Sequence, residues 1–261
     1  MMTLINNRNG QQLAVYRFGD SNKPSIIFSN SLGTDHGMWQ SQIEYFAENY
    51  DVICYDTRGH GKSSVIENSS LLDLAHDVLD ILDFLKVEKA HFCGISMGGI
   101  TGIQLGRLAT ERFNSITIAN SAAKIGTAEA WLTRADLVEA QGLSDIVSTT
   151  HTRWFSDNFD YLHDLVAQKT IQSLSVTAPK GYAASCRALA QADLRDQLNN
   201  IGVPCLALCG GLDPVTTVKD GEFLQQHIPN CKLAVVEASH LSNIEQPAAF
   251  NQVLTEFIQQ S

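Results

Sequence analysis

A serine between glycines at a strand–helix junction, Gly94-Ile95-Ser96-Met97-Gly98, constrains this chain more than any other feature. A short apolar run, Ala90 to Cys93, precedes it, and a helical pattern opens at Met97. In that context the chain must end a strand in a tight, strained turn that leaves the serine hydroxyl free at the carboxyl edge of a sheet. Glycine on each side lets neighbouring backbone approach where a Cβ would clash. Alone, the pentapeptide also fits an ordinary glycine-rich turn. The flanking strand and helix favour a nucleophile.

Strand-like runs and helical patterns alternate around this turn. Leu13 to Phe18, Ser25 to Asn30, Val52 to Tyr55, Ser115 to Ala119, Pro204 to Cys209 and Lys232 to Glu237 read as strands. From Leu71 to Leu85 the apolar residues Leu71, Leu74, Ala75, Val78, Leu82 and Leu85 repeat with a helical period. Helical patterns also cover Met97 to Leu108, Asp220 to Ile228 and Ala248 to Ile258. Continuous apolar strands between helices imply a mostly parallel, twisted sheet covered on both faces.

Residues 122–192 break the rhythm. They are helix-compatible throughout and carry Trp131 and Trp154, two of the three tryptophans. An all-helical insertion between two sheet strands is expected to cap the carboxyl edge, where open α/β sheets bind ligands. The expected division is a core of residues 1–121 and 193–261 with a helical cap at 122–192.

Composition narrows the function classes. A net charge of −10 disfavours nucleic acid and anionic membranes as partners. No apolar run reaches the ~18 residues of a membrane span, and Met1 to Gly10 has no secretory pattern. The six cysteines lie mostly in apolar runs, without zinc-like or C-x-x-C spacing, and read as buried free thiols of a cytoplasmic protein. Asp56-Thr57-Arg58-Gly59-His60-Gly61-Lys62-Ser63 ends like a phosphate loop, but Asp56 stands where that loop needs glycine. No metal site or cofactor is expected, and no signature of an oligomeric state is visible.

A serine nucleophile needs a base, and the base an orienting acid, in the chain order serine, acid, histidine for this kind of turn. Asp213 follows the strand Pro204 to Cys209 through Gly210, Gly211 and Leu212, and would project its carboxylate at the sheet edge; an aspartate before proline is also an ordinary turn residue. The other acid position, after Ser115 to Ala119, holds Asn120, which has no carboxylate. His240 follows the last strand by three residues and is the candidate base. For the oxyanion, the Met97 N–H at the helix start and the Leu32 N–H in the loop Ser31-Leu32-Gly33-Thr34 are the candidate donors. Gly33 would permit the unusual backbone angles of that loop.

Together these residues resemble the α/β-hydrolase family over essentially the whole chain, and within it the 3-oxoadipate enol-lactonases of bacterial aromatic catabolism. The sequences D-T-R-G-H-G-K-S, G-I-S-M-G-G and the late aspartate and histidine are general hydrolase signals. More specific are Leu32-Gly33-Thr34-Asp35-His36-Gly37-Met38-Trp39, similar to the lactonases' L-G-T-D-x-x-M-W, and His240-Leu241-Ser242-Asn243-Ile244-Glu245-Gln246-Pro247, similar to H-L-S-N-x-E-Q-P. Asn30-Ser31 stands where many hydrolases carry His-Gly, a position at which the lactonases often depart too. The resemblance implies a triad of Ser96, Asp213 and His240, an oxyanion hole of Leu32 and Met97, and hydrolysis of an anionic enol-lactone through an acyl-serine. A local cation should then receive the substrate carboxylate. Arg134 and Arg153 of the cap are candidates, with Trp131 and Trp154 as apolar walls. Another carboxylesterase or a C–C-bond hydrolase would use the same triad, and a non-catalytic receptor on a hydrolase scaffold could retain it. A haloalkane dehalogenase would need aspartate at position 96.

Overall fold

The computed structural model describes residues 2–261. Its eight strands are β1 (Met2–Asn6), β2 (Gln12–Phe18), β3 (Ser25–Ser29), β4 (Asp51–Tyr55), β5 (Ala90–Ile95), β6 (Phe113–Ala119), β7 (Cys205–Gly210) and β8 (Cys231–Val236). They form one sheet in the order β1-β2-β4-β3-β5-β6-β7-β8. β2 pairs antiparallel with both of its neighbours, β1 and β4; the pairings among β3 to β8 are parallel. β3, β4, β5 and β7 bury every residue, which is why they read as unbroken apolar runs. β1, which the sequence pattern does not mark, buries only Ile5 at the sheet's edge and so has no apolar run.

Helices cover both faces. α1 (Gln40–Phe46) lies after β3, and α2 (Leu71–Phe84) begins at a capping box in which Ser70 and Asp73 exchange hydrogen bonds. α3 (Met97–Leu108) follows β5 directly and packs on β5, β6 and α2. Between β6 and β7 come four helices: α4 (Ala128–Gln141), α5 (Ser144–Trp154), α6 (Leu165–Val176) and α7 (Pro179–Gln191). This is an all-helical insertion in the sheet's connectivity. α8 (Val218–His227) packs on β7 and β8. The short α9 (Ser242–Glu245) and α10 (Pro247–Ile258) close the chain, and α10 packs against α1 and β8.

The insertion is tied down at definite points. α4 and α7 pack along each other, and the small buried Ala183, Ala184 and Ala188 of α7 let the axes approach. At its start, Gly181 meets Gly59 of the Asp56–Ser63 turn so closely that a Cβ on Gly181 would lie 2.2 Å from the Gly59 carbonyl oxygen. That turn is held by buried charge. Arg58 makes two 2.6 Å hydrogen bonds to Asp77, and Asp56 accepts from Tyr16, His36 and Lys62. The turn is thus braced by its own side chains.

The candidate active site

Ser96 stands between β5 and α3 with φ 56° and ψ −113°, a conformation costly for any residue with a Cβ. The surroundings enforce it. A Cβ on Gly94 would lie 2.2 Å from the Gly98 carbonyl oxygen, and one on Gly98 would lie 2.2 Å from that of Ser29, so neither position has room for a side chain. The Ser96 N–H donates to the Ala119 carbonyl at 3.0 Å, and its own carbonyl accepts from Ser121 Oγ at 2.7 Å. With its backbone committed, the serine presents its side chain to a cavity of about 210 Å³ that His240 also lines.

Asp213 and His240 meet below that cavity. His240 Nδ1 lies 2.8 Å from Asp213 Oδ2, with both side chains almost wholly buried. A carboxylate can only accept, so Nδ1 carries the proton and Nε2 is left as an acceptor. Asp213 is itself held by four further bonds. Val215 N–H and Thr216 N–H donate to Oδ1 at 2.7 and 3.1 Å; Thr216 Oγ1 and Asn120 Nδ2 donate to Oδ2 at 2.9 and 3.0 Å. Burial alone would raise this carboxyl's pKa, but attraction to the His240 ring and these donors together hold it below its ordinary value. A hydroxyl sharing a cavity with an imidazole that is oriented by a buried carboxylate can supply an activated oxygen nucleophile.

Asn120 cannot ionise, yet it contacts the acid directly. In the structure its Nδ2 also donates to the Ser239 carbonyl at 3.1 Å, and its Oδ1 accepts from Ser242 Oγ at 2.5 Å. It therefore joins the acid to the loop that carries His240. Its φ of 43°, tolerated better by asparagine than by most residues, turns it into that position. The signal lay in its place after β6, where an amide can support a carboxylate supplied by the next strand.

The loop after β3 leaves one amide over. Ser31 N–H points to Met38 Sδ at 3.5 Å, Gly33 N–H donates to His60 Nε2 at 3.0 Å, and Thr34 N–H donates to the Ser31 carbonyl at 3.3 Å. Among the described residues the Leu32 N–H has no internal acceptor, and neither has the Met97 N–H at the first position of α3. Gly33 has φ 82°, the left-handed conformation the loop requires. His60 is the residue that sequence reasoning missed here. Burial lowers its pKa and so keeps it neutral. Its Nδ1 donates to the Arg58 carbonyl at 3.2 Å, which leaves Nε2 to accept from Gly33.

The two segments that carried the more specific resemblance touch one another. Asn243 Nδ2 donates to the Met38 carbonyl at 2.8 Å, and Gln42 Nε2 donates to the Asn243 carbonyl at 3.1 Å. Trp39 is fully buried, with Nε1 on Asn30 Oδ1 at 2.9 Å. These segments brace the loop that carries Leu32 against the loop that carries His240.

Trp131, Arg134, Arg153 and Trp154 all line the cavity, as do Leu32 and Tyr182. Arg134 lies 5.0 Å from the Trp131 ring centroid. Among the described residues neither arginine has a carboxylate partner. Burial, with Arg134's like charge nearby, lowers the Arg153 pKa, although a guanidinium so perturbed still carries its charge at neutral pH. Burial pushes the Tyr182 hydroxyl up to about 12, so it remains a donor. The one metal-like cluster among the described residues is Asp35, His36 and Asp56. Its carboxylates already receive Gly37 N–H, Ser173 Oγ, His36, Tyr16 and Lys62, which is the pattern of a braced turn. No helix among the described residues is long and apolar enough to cross a membrane.

A family model described as alpha/beta hydrolase fold matches residues 24–150. The chain is 59% identical to 3-oxoadipate enol-lactonase 1 of Acinetobacter baylyi, over 98% of this chain and 96% of that one. It is 51% identical to 3-oxoadipate enol-lactonase 2 of the same organism, over 91% and 89%. The crystal structure of an enol-lactonase from Burkholderia xenovorans superposes with a TM-score of 0.95 at 34% identity, covering 98% of this chain and all of that one. With this sheet, this serine turn and relatives this similar over their full length, the chain belongs to the enol-lactonase branch of the α/β-hydrolases and is an enzyme that hydrolyses carboxylic esters.

Proposed function

We propose that the enzyme hydrolyses 3-oxoadipate enol-lactone to 3-oxoadipate through an acyl-Ser96 intermediate. The observation that carries this substrate is the pair of guanidiniums, Arg134 and Arg153, on the wall of the Ser96 cavity without a carboxylate to neutralise them. Burying uncompensated positive charge costs stability, and an anionic ligand offsets that cost. A protein with a net charge of −10 gathers an anion only through such a local field. The cavity is small, which suits a compact lactone better than a long-chain ester.

In this reading Ser96 Oγ attacks the lactone carbonyl while His240 Nε2 takes its proton. The Leu32 and Met97 amides receive the developing oxyanion. The C–O bond of the ring breaks, and the ring oxygen leaves as an enol with the proton from His240. Water, deprotonated by His240, then cleaves the acyl-serine, and the enol becomes the ketone. Asp213 holds the imidazole in the reactive tautomer throughout. Arg134, Arg153 and the Tyr182 hydroxyl hold the acetate carboxylate, with Trp131 and Trp154 as apolar walls. Residues 122–192 form the cap that selects substrate over a core of residues 1–121 and 193–261. We assign the enzyme to aromatic catabolism in the cytoplasm, a compartment that suits its six free thiols.

The deciding experiment follows enol-lactone loss spectrophotometrically beside a neutral p-nitrophenyl ester. Fast lactone loss with slow ester turnover is expected. The opposite ranking would make the enzyme a general carboxylesterase and remove the lactone assignment.

A further inference from the structure

The segment that ends α5 and the loop that carries His240 are stitched together by hydrogen bonds that the reaction steps do not themselves use. At the centre of the seam is Glu245, buried on α9 and without a cationic partner among the described residues. Its Oε2 accepts from the Ser239 N–H at 2.9 Å and the Ser156 N–H at 3.2 Å, and the Ser156 hydroxyl donates to Oε1. Alongside, the Leu241 N–H donates to the Trp154 carbonyl at 3.0 Å, and Ser239 Oγ donates to the Arg153 carbonyl at 3.4 Å. Both residues that flank His240 are thus bound to 153, 154 or 156. The side chains of Arg153 and Trp154 line the cavity on one side of this seam, and His240 lines it on the other.

A buried carboxylate is expensive to desolvate, and an apolar side chain would fill the same space at lower cost. What the carboxylate adds is geometry, because charge-assisted bonds to two backbone N–H groups are directional and stronger than neutral ones. The two amides belong to segments 83 residues apart in sequence, at 156 and 239. A single side chain therefore sets the distance between a wall that contacts ligand and the loop that presents the imidazole.

We propose that Glu245 is a positioning residue that locks the His240 loop to the cap wall of Arg153 and Trp154, so that the binding wall and the general base hold one register. The proposal rests on His240 acting as the base for Ser96. It implies that cutting the seam on the cap side, at a residue that touches neither Ser96 nor His240, reduces the reactivity of Ser96 toward a reagent that has no use for the arginines.

The test measures phosphorylation of Ser96 by diethyl p-nitrophenyl phosphate, a neutral triester. The Ser96 Oγ–P bond forms, p-nitrophenolate leaves, and the serine proton passes to His240. Ser156→Ala is expected to slow this step and the lactone kcat together by about 10-fold, and Glu245→Gln by about 100-fold, with thermal melting showing a folded protein. Ser156→Ala decides the matter if Glu245→Gln does not fold. Unchanged phosphorylation in Ser156→Ala, with only the KM for lactone raised, would make the seam a support for the cap alone and overturn the proposal. Wild-type and His240→Ala proteins phosphorylated at equal rates would instead remove the base assignment on which it rests.

Discussion

β5 and β7 bury all six of their residues, whereas α4, twice as long and more, buries only Ala135 and Val138 among its fourteen. The two regions meet at one cavity but are held by different means. The strand ends that carry Ser96, Asn120, Asp213 and the His240 loop are fixed by parallel ladders and by side chains whose polar atoms are bonded on several sides. The helices above them rest on separate anchor points, among them α7 on Gly59, α4 on α7, Ser173 of α6 on Asp35, and the 153–156 segment on Glu245 and the His240 loop. Under the proposed function, chemistry that tolerates little displacement falls to the first region. Under the same reading, selection of the ligand falls to the second.

The comparison breaks most visibly if the strand-end groups prove dispensable. Ser96→Ala should fold normally and lose turnover on lactone and neutral ester alike by about 10⁶-fold, as when members of a triad act as one unit. Asp213→Asn should keep its shape and lose about 10⁴-fold through the wrong histidine tautomer. Initial rates on both substrates check this, and near-normal lactone hydrolysis by either variant would remove the residue from the mechanism.

Cap substitutions should separate the two substrates. Arg134→Ala or Arg153→Ala should raise the KM for the anionic lactone by roughly 10- to 100-fold, the worth of a charged hydrogen bond. The neutral ester should be nearly unaffected. Equal losses on both substrates would mean that the arginines support the fold, and the division of labour between the regions would not hold.

The smallest effect lies at the far end of β5, away from Ser96. His91 is buried with Nδ1 2.7 Å from Ser115 Oγ, and burial lowers its pKa from 6.5 to about 4. Below the unfolded value the unfolded chain takes a proton that the native state refuses. Stability is therefore expected to fall as pH drops from 6.5 to about 4 and to lose nothing more from this group below that. His91→Asn should flatten the slope of urea midpoints between pH 6.5 and 4.5 only in part, because His60 is also lowered by burial. An unchanged slope would mean that the acid sensitivity arises elsewhere. Turnover at pH 7 should not change.

Regions that bury a continuous apolar run were legible from residues alone. The span Met97 to Leu108 was recovered whole as α3, and the parallel strands to within a residue or two. Ser96, Asp213 and His240 stood out because each follows a strand in a short loop, and such a loop at a sheet's carboxyl edge has few other uses. Networks were not legible. His60, Glu245 and Asn120 act through partners as far as 27, 89 and 122 residues away, and a single sequence carries no mark of such pairings. The cap lay between these cases. Its helical character and tryptophans were readable, but helices such as α4, with two buried residues, have almost no apolar stripe from which to infer the inward face.

The register of the sheet sets the spacing of the site. Ser29 pairs with Gly94, Ile95 with Ala119, Ala119 with Leu208, and Gly210 with Val236, so neighbouring strands finish nearly in step. Each step across the sheet is the pitch of a hydrogen-bonded ladder, about 4.8 Å. The spacing of the strand ends that carry the candidate groups is thus inherited from the backbone, and the loops bearing Asp213 and His240 span the rest. A descendant could gain, lose or replace helices between β6 and β7 without altering that spacing. What such a lineage cleaves is free to drift while the manner of cleavage stays where the ladder puts it.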